Sequence, residues 1–77
     1  MIEAYVLIQT EIGEAARVVA EVKEIPAVTR AVDVTGPYDV LAHVAAPDID
    51  SLGKLAVSEI QAVKGVSRSI TCPVVHL

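Results

Sequence analysis

The amino-acid sequence predicts an α+β sandwich of six elements in the order β-α-β-β-α-β. Three observations carry that prediction. Four short stretches are rich in β-branched residues, and two longer ones repeat apolar residues at helical spacing. Turn and stop residues fall between them, above all at Pro26, at Gly36–Pro37 and at Gly65. Hydrophobic residues make up 53% of the chain but aromatics only 3%, so Val, Ala, Ile and Leu must build the core. That composition suits strands packed under Ala-rich helices.

The first strand is "IEAYVLIQ", residues 2–9, short and largely apolar. A helix follows over "TEIGEAARVVAEVKEIP". Ala15, Val18, Val19, Val22 and Ile25 recur at its spacing, Glu11 and Glu14 suit the positive end of its dipole, and Pro26 ends it. The second strand is "AVTRAVDVT", residues 27–35, which alternates. The third is "DVLAHVAA", residues 39–46. The second helix is "PDIDSLGKLAVSEIQAVKG", with Pro47 and Asp48 or Asp50 at its start. Leu52, Leu55, Ala56, Ile60 and Val63 form its stripe, and Gly65 stops it. The last strand is "VSRSITCPVVHL", residues 66–77. Pro73 removes a ladder donor and marks it as an edge strand or a bulged one.

The chain also echoes itself. "IPAVTRAV" at 25–32 resembles "VKGVSRSI" at 63–70, pairing Val28 with Val66, Thr29 with Ser67 and Arg30 with Arg68. Both segments lead from a helix into a strand. Two β-α-β halves joined at Gly36–Pro37 make a ferredoxin-like sandwich, a four-stranded antiparallel sheet with two helices on one face.

The other sheet face is too apolar to stand alone in water. Ile2, Ala4, Val6 and Ile8 take one side of the first strand, and Tyr5 and Leu7 the other. Val40, Ala42, Val44 and Ala46 take one side of the third strand, and Leu41 and Ala45 the other. Helices cover one face only, so a second copy packed sheet to sheet is expected to cover the other. The small core of a 77-residue, single-domain chain gains from that burial.

Charge and composition exclude several functions. The net charge is −4, and six scattered Lys and Arg make no basic stripe for a phosphate backbone. With neither Trp nor Phe there is no platform for stacking bases, so no direct nucleic-acid partner is expected. No apolar stretch is long enough to span a bilayer, and "MIEAYVLIQTE" lacks the basic start of a signal peptide, so no membrane partner is expected. A single cysteine, Cys72, forms no internal disulfide and suits a reducing, cytoplasmic setting. No His, Cys and carboxylate residues share a metal-ligand spacing, and no cofactor is expected. His43, mid-strand between Ala42 and Val44, reads as a hydrogen-bonded interface histidine. His76 reads as surface.

"VTGPYDV", residues 34–40, holds two residues that a turn does not require, Tyr38 and Asp39. With the element order and the ending "GVSRSITCPVV", it resembles the effector-binding (RAM) domain of the Lrp/AsnC transcription regulators. Family hairpins read "TG-x-[YF]-D", matched by Thr35, Gly36, Tyr38 and Asp39, with Pro37 at the variable position. Family last strands read roughly "PGV-x-x-T-x-T-x-[IV]-V". Gly65, Val66, Thr71, Val74 and Val75 follow that pattern, with Lys64 for Pro and Ser69 for the first Thr. The resemblance covers essentially the whole chain. The helix-turn-helix domain that precedes this module in the family's regulators is expected to be lacking, which makes a stand-alone RAM protein.

The resemblance implies an amino-acid effector held between dimers of a ring, with the homodimer assembling to an octamer or decamer. It also implies association with full-length Lrp/AsnC regulators. The ligand-binding residues it points to are Gly36, Tyr38, Asp39, Ser69 and Thr71. Gly36 lets the backbone approach a carboxylate, and Asp39 accepts from an ammonium. Tyr38 walls the ligand, and Ser69 and Thr71, two apart on one strand face, add hydroxyls. Two other readings stay open. A small cofactor-free dimeric enzyme would use His43 and Asp39 as acid and base, although no nucleophile–base pair is evident. A ligand-free oligomerisation adaptor is the other, because Pro37 removes one donor from the loop.

Overall fold

The computed structural model describes residues 1–76, and every side chain among them except that of Leu55. Four strands, β1 (Ile2–Thr10), β2 (Val28–Asp33), β3 (Val40–Ala46) and β4 (Val66–Pro73), form one antiparallel sheet in the order β2-β3-β1-β4. Helix α1 (Ala15–Lys23) links β1 to β2. α2 (Ile49–Leu52), a π-helical segment (Gly53–Val57) and α3 (Ser58–Gln61) run on from one another and link β3 to β4. The predicted β-α-β-β-α-β order is the observed one. The stretch from Val74 to His76 lies past the last strand, and Leu77 and the Leu55 side chain fall outside the described residues.

The core forms between one sheet face and the helices. Ala4, Val6 and Ile8 of β1 and Val40, Ala42 and Val44 of β3 are fully buried, with Val18 and Val22 of α1 and Ala56 and Ile60 of the second helical run. The alternation is that of paired strands with one face turned inward. Ile2, expected on the buried side, is 37% exposed, because it lies at the sheet's end.

The elements depart from the sequence prediction at several places, among them the second helical run, which ends at Gln61 and not at Gly65. α1 begins at Ala15, not near Glu11, because residues 11–13 are occupied by a turn. The Glu11 N–H donates to the Gly65 carbonyl at 2.8 Å, the Glu14 N–H returns to the Glu11 carbonyl at 3.0 Å, and Gly13 takes φ +80°. The second helix contains a widened turn, where both the N–H and the hydroxyl of Ser58 bond the Gly53 carbonyl. Leu52, Ala56 and Ile60 are all buried and four apart. In a straight α-helix each four-residue step drifts about 40°, and the wider π turn takes up part of that drift. β4 ends at Pro73, which has no N–H to continue the ladder. As expected from that proline, β4 is an edge strand.

The internal echo is a structural repeat. β2 and β4 begin at Val28 and Val66, and each strand then shifts register, around Thr29 and around Ser67. The Thr29 hydroxyl oxygen lies 3.1 Å from the His43 carbonyl oxygen, and the Ser67 hydroxyl donates to the Gln9 carbonyl at 3.0 Å. Both strands thus enter the sheet through the same kind of bulge, with a hydroxyl set against a carbonyl of the neighbouring strand.

Candidate functional site

The β2–β3 hairpin is a fixed structure with an open outer side. The Val34 N–H bonds the Asp39 carbonyl and the Asp39 N–H bonds the Ile8 carbonyl, both at 2.9 Å. The Asp39 carboxylate reaches the end of β1, where one oxygen accepts from the Thr10 N–H at 2.8 Å and from its hydroxyl at 3.3 Å. Gln9 donates from Nε2 to the Pro37 carbonyl at 3.3 Å. Gly36 takes φ +140°, a region that glycine alone enters freely, yet nothing lies within 4 Å of where a Cβ would stand. Its role is conformational, and the space beside it is free. Tyr38 and Asp39 are half-buried, while Thr35, Gly36 and Pro37 are exposed.

Ser69 and Thr71 occupy a different strand. They pair in register with Ile8 and Val6, so their side chains share the helix-covered face, and both are half-buried. Ser69 Oγ accepts from Gln61 Nε2 at 3.4 Å. Beside it a small depression of about 170 Å³ is lined by Gln61, Val66, Ser67, Arg68 and Ser69. β1 lies between β3 and β4, so Val40 and Ser69 flank Ile8 on one rung. Two strand spacings, about 10 Å, separate them. Within one chain the five candidate residues form two half-sites, one on the hairpin and one on the edge strand.

Sequence reasoning missed Thr10 and Gln9, which hold the hairpin. The available signal was polar chemistry at the end of an apolar strand, and it marked only where the strand stops.

The helix-free sheet face carries a second set of polar groups. His43 Nε2 lies 2.8 Å from Glu3 Oε1, and its Nδ1 is hydrogen-bonded to the Thr29 hydroxyl. The Tyr5 ring meets the imidazole edge-on, with centroids 5.0 Å apart. Tyr5, Thr29 and His43, with Arg30, Val32 and Leu41, line a shallow depression of about 390 Å³. His43 and Asp39 thus take different partners, and the acid–base pair that an enzyme reading requires is not formed.

The fold is thus a four-stranded sheet with helices on one face, and its hairpin and edge strand hold separate sets of polar groups. The model of the Lrp/AsnC ligand binding domain matches residues 3–76, and the chain belongs to that family. It is similar in structure to TTHA0845 from Thermus thermophilus, with a TM-score of 0.92 and 31% identity over 100% of this chain and 96% of that one. It is also similar to AsnC from E. coli, with a TM-score of 0.89 and 21% identity over 99% of this chain and 52% of that one. The transcriptional regulator NMB0573 from Neisseria meningitidis, solved as its L-Met complex, superimposes with a TM-score of 0.82 and 19% identity over 97% of this chain and 50% of that one. This chain therefore spans about half of each of those two regulators. A comparison with curated proteins finds no match. Among the described residues, no helix is long and apolar enough to cross a membrane.

Proposed function

We propose that this protein is a non-enzymatic regulatory module that binds a free amino acid between its own copies. The observation that carries the reading is the division of the site. The hairpin rim of Gly36, Tyr38 and Asp39 is held from behind by Thr10 and Gln9, and its outer side is open. The complementary hydroxyls of Ser69 and Thr71 lie two strands away, and a second copy brings such a pair to the rim. Exposed turn N–H groups receive the carboxylate, and Asp39 receives the ammonium as a charge-assisted acceptor. The L-Met complex of the Neisseria regulator supports an amino-acid ligand.

Two copies pair through the helix-free sheet face, where Leu7, Leu41 and Ala45 are only half-buried and Tyr5 is 43% exposed. The dimers close into a ring of eight or ten chains, and the effector acts by binding one assembly better than another. A ring of this kind also offers its sheet face or rim to a full-length Lrp/AsnC regulator, in the reducing interior of the cell. A second reading, an adaptor that binds no ligand, is favoured by one observation. Pro37 has no N–H to offer, and its carbonyl is already used by Gln9.

A thermal-shift panel of the twenty amino acids tests the proposal. A ligand at about 100 times its Kd adds roughly 2.7 kcal/mol of stability. One or a few amino acids should give a saturable rise in Tm that is lost in Asp39→Asn and in Thr71→Val. The Asn variant keeps an acceptor for the Thr10 N–H, so the hairpin stays in place. A flat panel at millimolar concentrations overturns the effector reading and favours the adaptor.

A further inference from the structure

We infer that pairing of two copies through the helix-free face takes up protons at the Glu3–His43–Thr29 cluster, so that the assembly tightens as the medium becomes mildly acidic. This rests on the sheet-to-sheet pairing proposed above. Tyr5 and His43 stand opposite each other on the two central strands, near the middle of β1 and β3. In the single chain the His43 side chain is 21% exposed and that of Glu3 43%. A second copy laid on this face takes both out of water.

The hydrogen bonds are arranged for either charge state of the ring. Nε2 faces a carboxylate, so it carries a proton and donates. With a neutral ring, Nδ1 accepts from the Thr29 hydroxyl. With one more proton that bond reverses, because Nδ1–H donates to the Thr29 oxygen. The hydroxyl hydrogen then turns to the His43 carbonyl oxygen, 3.1 Å away. The Thr29 oxygen stays bonded to the ring in either state, so protonation needs only a turn of its hydroxyl.

Charge decides which state the dimer prefers. With a neutral ring, Glu3 and His43 bring one net negative charge per chain into the interface. With the extra proton they enter as a neutral pair. Burying uncompensated charge costs far more than burying a hydrogen-bonded neutral pair. The nearest cation, Arg30, lines the same depression, and as an exposed edge-strand side chain it can keep its charge in water when the face is covered. From β1, Glu3 and Tyr5 face the ring. From β2, Arg30 lies opposite His43 in register, but it is exposed on an edge strand and makes no ion pair among the described residues. Cys72 of β4 lies one strand beyond Tyr5. By linkage, a species that binds more protons when associated gains affinity as pH falls, with at most about two protons per symmetric dimer.

Sedimentation equilibrium of the full chain over a dilution series, at about pH 8, 7 and 6, spans the range in which histidine changes charge. The expected result is a dimer about tenfold or more tighter at the acid end, in the wild type and in His76→Gln alike. His43→Gln can still donate to Glu3 but cannot be charged, so its affinity should not vary with pH. Glu3→Gln removes the negative charge, so a proton on His43 would enter the interface uncompensated and the tightening in acid should be lost or reversed, which keeps the test decisive where His43→Gln folds poorly. Where the dimer is too tight to dilute apart, the same four chains are compared by Tm at fixed concentration across the same pH values, with the same ranking expected. A pH-independent wild type, or a His43→Gln chain that keeps the full dependence, overturns the inference and leaves the pairing intact. A monomer at every pH overturns the pairing itself.

Discussion

At Gly65 two demands meet in one residue. Its φ of +102° is a conformation that side chains rarely adopt, and a Cβ there would stand 2.7 Å from Arg17 Nη2, 3.2 Å from Val18 Cγ2 and 3.3 Å from Glu14 Cβ. The flexible guanidinium can give way, but the stem of α1 cannot. Arg17 is itself held, since it bridges Glu14 and Glu21 and donates to the Lys64 carbonyl. The hydrogen bond to Glu14 is the first cause that raises its pKa above the ordinary arginine value. Gly65→Ala should therefore cost about 1–3 kcal/mol, read as a lower urea midpoint with an unchanged slope. A smaller loss would mean that Arg17 swings aside and the backbone relaxes. The sequence marked this glycine as the stop of the second helix, but that run ends at Gln61 and Gly65 lies in the turn that leads into β4. The approach of α1 was not legible, because Arg17 and Gly65 lie far apart along the chain.

Among the elements, the second helical run depends on its first turn. Asp48 accepts from the Ser51 N–H at 2.8 Å as the N-cap of α2, and these bonds to Ser51 hold its carboxyl below the usual carboxylate range. A carboxyl so lowered stabilises the fold fully above the ordinary range, and the contribution is lost as pH falls through the native value. Asp48→Ala should lower Tm by a few degrees at neutral pH, and Asp48→Asn by less, since the amide oxygen still caps. The gap between wild type and Asp48→Ala should begin to narrow as pH falls below the unfolded aspartate value of about 3.9 and go on narrowing toward the lowered native value. A gap that stays constant in acid would show that the cap works through geometry alone. The element order, the core faces of β1 and β3 and the edge position of β4 were all legible in the sequence, because alternation and proline act locally. The π turn at Gly53–Val57 was not legible. It arises where Leu52, Ala56 and Ile60 must all meet the sheet, and the sheet's position is a tertiary fact.

For the molecule as a whole, the decisive feature is the uncovered sheet face. Leu41 lies on this face near the start of β3, paired with Leu7 across the ladder and with Val32 on the edge strand. It points away from the core, so Leu41→Lys should leave the chain folded and disrupt the pairing. Circular dichroism should be unchanged, and sedimentation velocity should show a monomer where the wild type is larger. A wild-type monomer, or an oligomer untouched by the lysine, would place the contact elsewhere.

The sequence by itself determined the six elements, the buried faces, the resemblance carried by Thr35–Asp39 and the last strand, and the two apolar sides of the central strands. These follow from alternation, helical spacing and turn chemistry, which each act over a few residues. Only the tertiary structure decided how those residues combine. It turned Asp39 toward Thr10, placed Ser69 and Thr71 two strands from the hairpin, and brought Glu3, Thr29 and His43 into one cluster. The physical reason is strand order. β1 pairs with β3 and β4, and residues far apart in the chain become neighbours through a register that no local pattern encodes.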